Sequence, residues 1–489
     1  MIARAPSRRR APWLLFLIFQ ALYALTSSGN AFRIPDEYST YYQVEHLVDA
    51  GDLSVPQAVA AQRFYGKIGA GGRPYAPYGP LTAVLAVPYH LFGRAVAAAA
   101  GISRSTGDVW TFVVGGVTML VTSTAAALAV AGFYEAAIAL GAEETNAWTL
   151  SLLLGAATVL WPYGTSLFSE AWQAAAFIWA AVFLIRRRVT VAAALVVFAA
   201  MTKFTSLAFV PAFIAAVLAE RDTSPRGRWM TAAALAGGTA VAVALRLAWN
   251  LHDFGDPLEF GYIWVEMVPR LPARVFWLND LPRGLAILLF SPGKSLLLWA
   301  PALWLSITRF RHAPRSIQAG TATALGCGLI VFGMYIFPEG GYAHGPRQLV
   351  PIVPLLLLPA ALGAAPSRRS IAACAAIGGT IALLAVSVSF LQDQALGANL
   401  TRTNYYERID PPPGRAWNRY RFDYIPFKAT LASGEWPSGP VGLGVDFFWL
   451  HLARAKDEIP AARAIPMWLI VALPAFWSAV LLLAIALAL

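Results

Sequence analysis

The sequence predicts an all-α polytopic membrane protein. Of its 489 residues, 58% are hydrophobic and 13% are charged, and the mean hydropathy is +0.58. A soluble globular protein carries about 25% charged residues. Runs of roughly 15 to 25 residues rich in alanine and leucine alternate with short breaks rich in arginine and proline, and about 20 apolar residues are needed to cross a hydrocarbon core. These observations exclude a soluble protein.

About twelve transmembrane helices are predicted, with both termini inside and an uncleaved first helix. Short inner loops carry an excess of Lys and Arg, so the arginine-rich breaks mark the inner face. The formal charge of +11, from 37 basic and 26 acidic residues, therefore indicates contact with the membrane surface and not with nucleic acid. The predicted spans lie near 12–29, 110–133, 148–162, 171–185, 189–202, 204–219, 229–250, 295–309, 317–337, 348–364, 371–391 and 466–487.

One apolar run, 80–100, is predicted not to cross the membrane. Counting it as a span would place Arg186 to Arg188 outside, against the charge rule. The run contains Pro88, His90 and Arg94 and follows a Gly- and Pro-rich stretch. We therefore expect a re-entrant or interfacial piece.

The predicted organisation has three parts. Residues 1–391 form a transmembrane catalytic core with a long first outer loop, 30–109, that carries amphipathic helices. Residues 392–465 form a larger outer-face loop region, and 466–489 form the final transmembrane helix. No inner loop exceeds about 15 residues and no P-loop is present, so we expect chemistry on the outer face, driven by the substrate itself. The six histidines lack metal-ligand spacing, and neither a metal nor another cofactor is predicted.

Asp36 and Glu37 follow the first span directly and are the predicted catalytic residues. A carboxylate close to lipid and next to a like charge has its pKa raised toward the range useful for a general base. The alternative is that Asp36 is the N-cap of a helix and Glu37 lies in its first turn. The two roles are compatible.

Several polar residues near the outer ends of spans are candidates for substrate binding. Gly-rich backbone beside Lys67 and Arg73 can form an anion-binding nest, whereas the alternative is a flexible loop anchored by tyrosines such as Tyr78. Lys203 lies in a tight outer turn, where headgroup contact and phosphate contact are equally plausible. Glu170 opens a span and is interpreted first as a helix-start carboxylate.

Two further candidates precede spans. Lys294 ends the turn Ser291 to Lys294, where the free N–H groups of a helix start attract an anion. Arg347 follows His344 in a short outer loop, where a lone arginine runs against the positive-inside bias. Its guanidinium can hold a phosphate in bidentate fashion, and the alternative is a headgroup anchor. The arginines and aromatics of the loop 404–424 can bind a sugar or form a lid.

The order of these motifs resembles the GT-C superfamily of integral-membrane glycosyltransferases, which includes protein O-mannosyltransferases and lipid A aminoarabinose transferases. The motifs are the outer Asp-Glu at 36–37, Tyr-x-x-Tyr-Gly-Pro-Leu at 75–81, Ser-Pro-Gly-Lys at 291–294 and Gly-Pro-Arg-Gln-Leu-Val-Pro at 345–351. The chain lacks the Trp-Trp-Asp signature of oligosaccharyltransferases, so transfer of a whole glycan to asparagine is not expected.

The resemblance implies an outer-face transferase that moves a sugar from a polyprenyl-phosphate-linked donor to an acceptor hydroxyl on a lipid, glycan or protein. The family's catalytic acidic residue falls on Asp36, with Glu37 as its companion, and Arg347 and Lys294 would lie near the carrier phosphate. We expect a single, inverting displacement in a bacterial plasma membrane. The alternative is a transporter or flippase for a lipid-linked or anionic substrate, although no internal repeat is evident. The predicted substrate-binding residues are Arg347, Lys294, Lys203, Arg73, Lys67, His344, Tyr78 and Glu170.

Overall fold

The computed structural model is helical, as the sequence predicts. It describes residues 9–28, 34–262, 281–335, 338, 340–341, 343–388, 445–458 and 460–488. Within these ranges, strand structure is limited to a short antiparallel hairpin of β1 (Lys67–Ile68) and β2 (Pro74–Tyr75). The all-α class is therefore confirmed for the described part of the chain. The aromatic and arginine-rich loop 404–424 lies outside the described residues.

The α-helices follow one another in chain order, and several are separated only by short turns. They are α1 (Ala11–Leu25), α2 (Pro35–Ala50), α3 (Pro56–Ala60), α4 (Pro80–Ala99), α5 (Asp108–Thr118), α6 (Leu120–Ala139), α7 (Glu144–Ala156), α8 (Leu160–Gly164), α9 (Glu170–Ile185), α10 (Val189–Thr202), α11 (Val210–Ala219), α12 (Pro225–Phe254), α13 (Leu281–Phe290), α14 (Leu296–Trp299), α15 (Leu303–Arg309), α16 (Arg315–Met334), α17 (Val353–Ala361), α18 (Arg368–Ser387), α19 (Phe448–Glu458) and α20 (Met467–Ala488).

The chain is a multi-pass membrane protein. In the described ranges, six helical stretches are long and apolar enough to cross a membrane: Pro80–Ala99, Asp108–Ala139, Pro225–Phe254, Arg315–Met334, Arg368–Ser387 and Met467–Ala488. Shorter apolar helices, such as α1, α9 and α10, lie at most of the other predicted spans. By the length and composition of the described helices, six membrane crossings are supported, compared with the twelve that the sequence predicts.

Prolines explain why some predicted spans are interrupted. The predicted span 295–309 is divided into α14 and α15 around Pro301, which has no N–H to donate to a helix. The predicted spans 204–219 and 348–364 each begin with a 3-10 turn, Phe204–Phe209 and Arg347–Ile352. These irregular starts lie at the end of the bundle that carries the candidate site.

The run at 80–100 forms one continuous helix, and its predicted re-entrant or interfacial placement stays a prediction. Pro88 lies inside α4 and removes a single backbone hydrogen bond, which the helix tolerates because α2 and α5 pack against it. Its 20 residues also have the length and hydropathy of a membrane-spanning helix. The predicted first outer loop, 30–109, contains the helices α2, α3 and α4, and its amphipathic character stays a prediction.

The segment that follows α1 is hydrogen-bonded to the segment at the start of α19. Helices α1 and α9 both pack against α6 in the main core. At the end of α1, the carbonyl of Ser27 accepts a hydrogen bond from Phe448 N (2.8 Å), and Ser28 Oγ donates to Asp446 Oδ2 (2.9 Å). Phe448 and Trp449 then join the apolar cluster formed by α2, α4 and α5. These contacts fix the first-loop helices over the start of α9.

Candidate active site

Four chain segments that are far apart in sequence meet at one end of the bundle. They are the first turn of α2, the first turn of α9, the turn after α10 and the loop that precedes α17. They bring together Asp36, Glu170, Lys203 and Arg347, which the sequence marked as four separate candidates. The four side chains form one ion-pair network.

Asp36 lies in the first turn of α2 without capping it. The N-cap position is Ile34, Pro35 occupies the first helical position, and no side chain caps the helix. Pro favours that position because its missing N–H is not needed there. The alternative role of Asp36 as N-cap was therefore wrong. Its Oδ1 accepts a hydrogen bond from Arg347 Nη2, and the Tyr78 side chain lines the same cavity as Asp36.

Glu170 is the bridge of the network. Its Oε1 accepts hydrogen bonds from Lys203 Nζ at 2.6 Å and from Arg347 Nε at 2.7 Å, and only 1% of its side chain is exposed. The Arg347 guanidinium also lies 4.2 Å from the ring centroid of Phe168, a cation–π contact. Arg347 is therefore a buried and paired residue, which contradicts the alternative of a headgroup anchor.

The loop that carries Arg347 needs glycine at two positions. Gly340 and Gly345 have φ values of +78° and +58°, a left-handed region that residues with a Cβ rarely adopt. A Cβ on Gly340 would lie 2.8 Å from Arg347 Cβ, and one on Gly345 would lie 2.8 Å from the Trp299 ring. The close backbone approach at these glycines lets Arg347 reach both carboxylates.

Lys294 supports this loop. Its Nζ donates to the carbonyl oxygens of Gly341 (3.3 Å) and Ala343, and the residue is 3% exposed. The helix that follows, α14, has only four residues. The ammonium of Lys294 is thus directed at carbonyl groups of the neighbouring loop, and the predicted contact of this turn with an anion stays a prediction.

His344 also lies in the supporting part of the loop. Its carbonyl accepts a hydrogen bond from Tyr163 Oη (2.9 Å), and its ring centroid is 5.8 Å from that of Trp299. It lines a small cavity with Phe168 and not the larger one beside Asp36. The predicted contact of His344 with substrate stays a prediction.

Glu37 points away from Asp36, although both lie in the first turn of α2. It is fully buried, and its Oε1 accepts a hydrogen bond from Leu167 N at 3.3 Å. That contact ties α2 to the segment before α9, and it holds Asp36 above Glu170. Of the two predicted catalytic residues, Asp36 lines the cavity, whereas Glu37 connects α2 to the segment before α9.

Lys67 and Arg73 lie outside the network. Lys67 lies in β1 and Arg73 lies in the turn before β2; Lys67 Nζ pairs with Glu259 at 2.7 Å and Arg73 Nη1 with Asp52 at 3.1 Å. The Arg73 side chain is 60% exposed. The predicted phosphate nest does not face Asp36, because both cations are directed at other carboxylates.

Arg347 reverses the expected pKa shift of Asp36. Burial raises the pKa of this carboxyl, as the sequence argument supposed, but the charge and hydrogen bond of Arg347 outweigh burial, and the pKa lies below its ordinary value. Burial together with the nearby Arg347 lowers the pKa of Lys203, while Glu170 and Asp36 oppose that shift. Asp36 is an ionised carboxylate in this arrangement.

A cavity of about 80 Å³ opens beside Asp36. Its charged lining residues are Asp36, Lys203 and Arg246, and four aromatic residues line it together with small polar and apolar residues. Tyr78 stacks on Tyr65 at a centroid distance of 6.3 Å and meets Tyr262 edge-on at 6.4 Å. Such a wall suits the apolar faces of a sugar ring, and the cationic residues suit an anion.

Arg246 is a site residue that the sequence reasoning missed. It lies within α12, a predicted span, and is 4% exposed. Nη2 donates to the carbonyl of Pro77 (3.2 Å), the guanidinium lies 5.4 Å from the Phe260 ring centroid, and Nε has no hydrogen-bond partner among the described residues. An arginine within an apolar helix is the signal that could have identified it.

The geometry provides an ionised carboxylate next to cations in a largely enclosed, aromatic-walled cavity. Among the described residues, no three His, Cys, Asp or Glu side chains are grouped so that they could hold a metal ion. The arrangement can accept a proton at Asp36 and can stabilise an anion at Lys203 and Arg246. These are the parts required for substitution at a carbon that bears an anionic leaving group.

Comparisons with known proteins find similarity only at the level of structure. No family model and no curated protein matches the chain. The structure of ArnT from Cupriavidus metallidurans in the apo state matches with a TM-score of 0.45 and 15% identity, over 96% of this chain and 75% of that chain. The archaeal oligosaccharyltransferase AglB from Archaeoglobus fulgidus, in complex with an inhibitory peptide and a dolichol-phosphate, matches with a TM-score of 0.42 and 12% identity, over 81% and 59%.

Proposed function

We propose that the protein transfers a sugar from a polyprenyl-phosphate-linked donor to an acceptor hydroxyl. The observation that carries this proposal is the cavity in which the ionised Asp36 faces Lys203 and Arg246 across an aromatic wall. A sugar carried on a lipid phosphate presents the matching groups, which are an anomeric carbon, an anionic leaving group and a ring with apolar faces. The GT-C resemblance of the motifs points to the same reaction.

The proposed reaction is a single displacement that inverts the anomeric centre. The acceptor oxygen forms a bond to the anomeric carbon while the bond from that carbon to the phosphate oxygen breaks. The leaving electron pair stays on the phosphate, and the acceptor proton goes to Asp36. Positioned general-base catalysis contributes about 10²- to 10⁴-fold. Lys203 and Arg246 stabilise the charge that develops on the phosphate.

The charge of the site fits a donor with one phosphate group. Asp36 and Glu170 supply two negative charges, and Lys203, Arg246 and Arg347 supply three positive ones. One positive charge is left over, and buried charges are stable only when compensated. A phosphodiester carries a single negative charge and would neutralise it. Arg347 is already held by two carboxylates, which leaves Lys203 and Arg246 as the proposed phosphate contacts.

Replacing Arg246 by glutamine is expected to weaken binding of a lipid phosphate by about 10- to 100-fold. A hydrogen bond to a charged group contributes about 1.5–3 kcal/mol. The measurement is calorimetric titration of the purified protein with farnesyl phosphate, with farnesol as the uncharged ligand. Arg94→Gln is the matched control, because Arg94 pairs with Asp49 at 2.7 Å and does not line the cavity. Equal affinities of wild type and Arg246→Gln for farnesyl phosphate would assign Arg246 a purely structural role.

We propose that the site opens on the outer face of a bacterial plasma membrane, because the arginine-rich breaks lie at the other end of the bundle. Ala70, in the turn between β1 and β2, and Ala364, in the turn before α18, are both exposed. In a background without Cys327 and Cys374, a cysteine at Ala70 should react with an impermeant thiol reagent added to intact cells, and one at Ala364 should not. The reverse labelling pattern would place the site inside.

A further inference from the structure

A second and larger cavity lies at the end of α9 that is remote from Asp36. Its volume is about 220 Å³, and it is enclosed by α9, α11, α12, α16 and α17. Glu170 begins α9 and Ile185 ends it, so the 16 residues of the helix separate the two sites by roughly 24 Å. The cavity therefore belongs to the opposite membrane face and takes no part in the proposed reaction.

The body of this cavity is apolar and its mouth is polar. The apolar walls are Leu140, Leu184, Ile185, Phe213, Val217, Ile317, Leu355 and Leu358. An apolar cavity of this kind does not hold ordered water, although it is several times larger than the volume of about 30 Å³ that one water molecule occupies in the liquid. Hydrocarbon is the chemistry that suits it.

Four charged side chains of both signs surround the mouth. Arg187 and Arg228 are positively charged, and Glu220 and Asp222 are negatively charged. Arg187 donates to Thr223 Oγ1, Arg228 Nη1 donates to a backbone carbonyl (3.0 Å), and Glu220 accepts from a backbone N–H (3.2 Å).

Within the described residues, none of these four charges forms an ion pair with another side chain. Arg187 has a φ of +60°, the left-handed conformation that ends α9, and Arg188 N donates to the carbonyl of Phe183 at 2.8 Å in the same turn. The mouth thus offers separate positive and negative groups beside an apolar interior. A ligand that carries both signs on a hydrocarbon chain would satisfy all of them.

We infer that this cavity binds one acyl chain of a phospholipid whose head group carries a primary ammonium. The chain fills the apolar body, Arg187 and Arg228 contact the phosphate, and Glu220 and Asp222 contact the ammonium. A phospholipid with only a negative charge would leave the two carboxylates facing it, which is unfavourable. The four charges therefore select the aminophospholipid over an anionic lipid.

The test is native mass spectrometry of the purified full-length protein, titrated with phosphatidylethanolamine or with phosphatidylglycerol. Ala181→Phe fills the cavity from α9, and Ala376→Phe is the matched control on the exposed side of α18. We expect wild type and Ala376→Phe to retain one phosphatidylethanolamine at a collision energy that strips phosphatidylglycerol. Ala181→Phe should retain at least fivefold less. Equal retention by Ala181→Phe and wild type would overturn the cavity as the binding site.

A second pair of changes tests the head-group assignment. Glu220→Gln combined with Asp222→Asn keeps the size of the mouth and removes its negative charges. We expect this double variant to lose the preference for phosphatidylethanolamine and to gain affinity for phosphatidylglycerol, because two arginines remain. An unchanged preference, or an equal affinity of the wild type for the two lipids, would overturn the inference. A cooperative thermal unfolding transition without lipid shows that each variant is folded. An increase in the unfolding temperature on adding lipid shows that the variant binds it.

Discussion

Replacing Asp36 by asparagine is expected to lower the rate of sugar transfer by about 10²-fold or more. Asparagine keeps an oxygen that can accept the hydrogen bond from Arg347, and Arg347 retains its contact with Glu170 at 2.7 Å. Among the described residues, Asp36 pairs with Arg347 alone and its side chain is 20% exposed, so its loss should cost less stability than the loss of the fully buried Glu170, and the protein should still fold and bind donor. The asparagine side chain cannot take a proton as a carboxylate does, so the loss should appear in kcat.

Glu37→Gln is the matched control for Asp36→Asn. Glutamine can still accept the hydrogen bond from Leu167 N, so the rate should fall much less. The pH profile adds an independent measurement, because kcat/KM reports the pKa of groups in the free enzyme. Arg347 holds the pKa of Asp36 below its ordinary value of 3.8, and the carboxylate is the active form. The acidic limb due to Asp36 should therefore lie below pH 3.8, and an Asp36→Asn protein with wild-type activity would contradict its role as base.

Replacing Glu170 by glutamine is expected to have the largest effect on stability. The change leaves the buried Lys203 and Arg347 with only one carboxylate, Asp36, between them. Removing one partner of a buried ion pair costs about 3–5 kcal/mol, because an uncompensated charge remains in a medium of low dielectric constant. The measurement is the thermal unfolding temperature of the protein in detergent, together with the yield of folded protein.

Two comparisons make the Glu170 result specific. Glu135→Gln removes a pair with Arg186, whose side chain is 45% exposed, and should cost about 0–1 kcal/mol. Combining Glu170→Gln with Lys203→Met removes one positive charge as well and should restore much of the lost stability, since contacting residues are energetically coupled. A Glu170→Gln protein as stable as wild type would show that the network carries little energy.

The helices could be predicted from the sequence far better than their interruptions. Runs of apolar residues long enough to cross a membrane locate α12, α16, α18 and α20 to within a few residues, because hydrocarbon thickness sets their length. The division at Pro301 and the continuity of α4 through Pro88 depend on the neighbouring helices that pack against each proline. Those contacts are tertiary and do not appear in a hydropathy pattern.

The candidate site was predicted residue by residue but not as a network. Asp36, Lys203, Arg347 and Glu170 each stood out because charge is rare at the outer ends of apolar runs. Their pairing could not be read from spacing, because Asp36 and Arg347 are 311 positions apart. The same separation explains why the pKa of Asp36 was expected to be raised. The sequence indicates that Asp36 lies near lipid, but it does not show that the guanidinium of Arg347 lies beside it.

The most direct test of the proposed function is a transfer assay with the purified protein and a panel of radiolabelled sugars linked to polyprenyl phosphate. We expect at least one donor to yield labelled glycoside and polyprenyl monophosphate in equal amounts, with inverted anomeric configuration, in wild type and not in Asp36→Asn. The same donors in sealed vesicles distinguish the alternative. Movement of an intact donor across the bilayer, with no cleavage of the bond between sugar and phosphate, would contradict the transferase and identify a transporter.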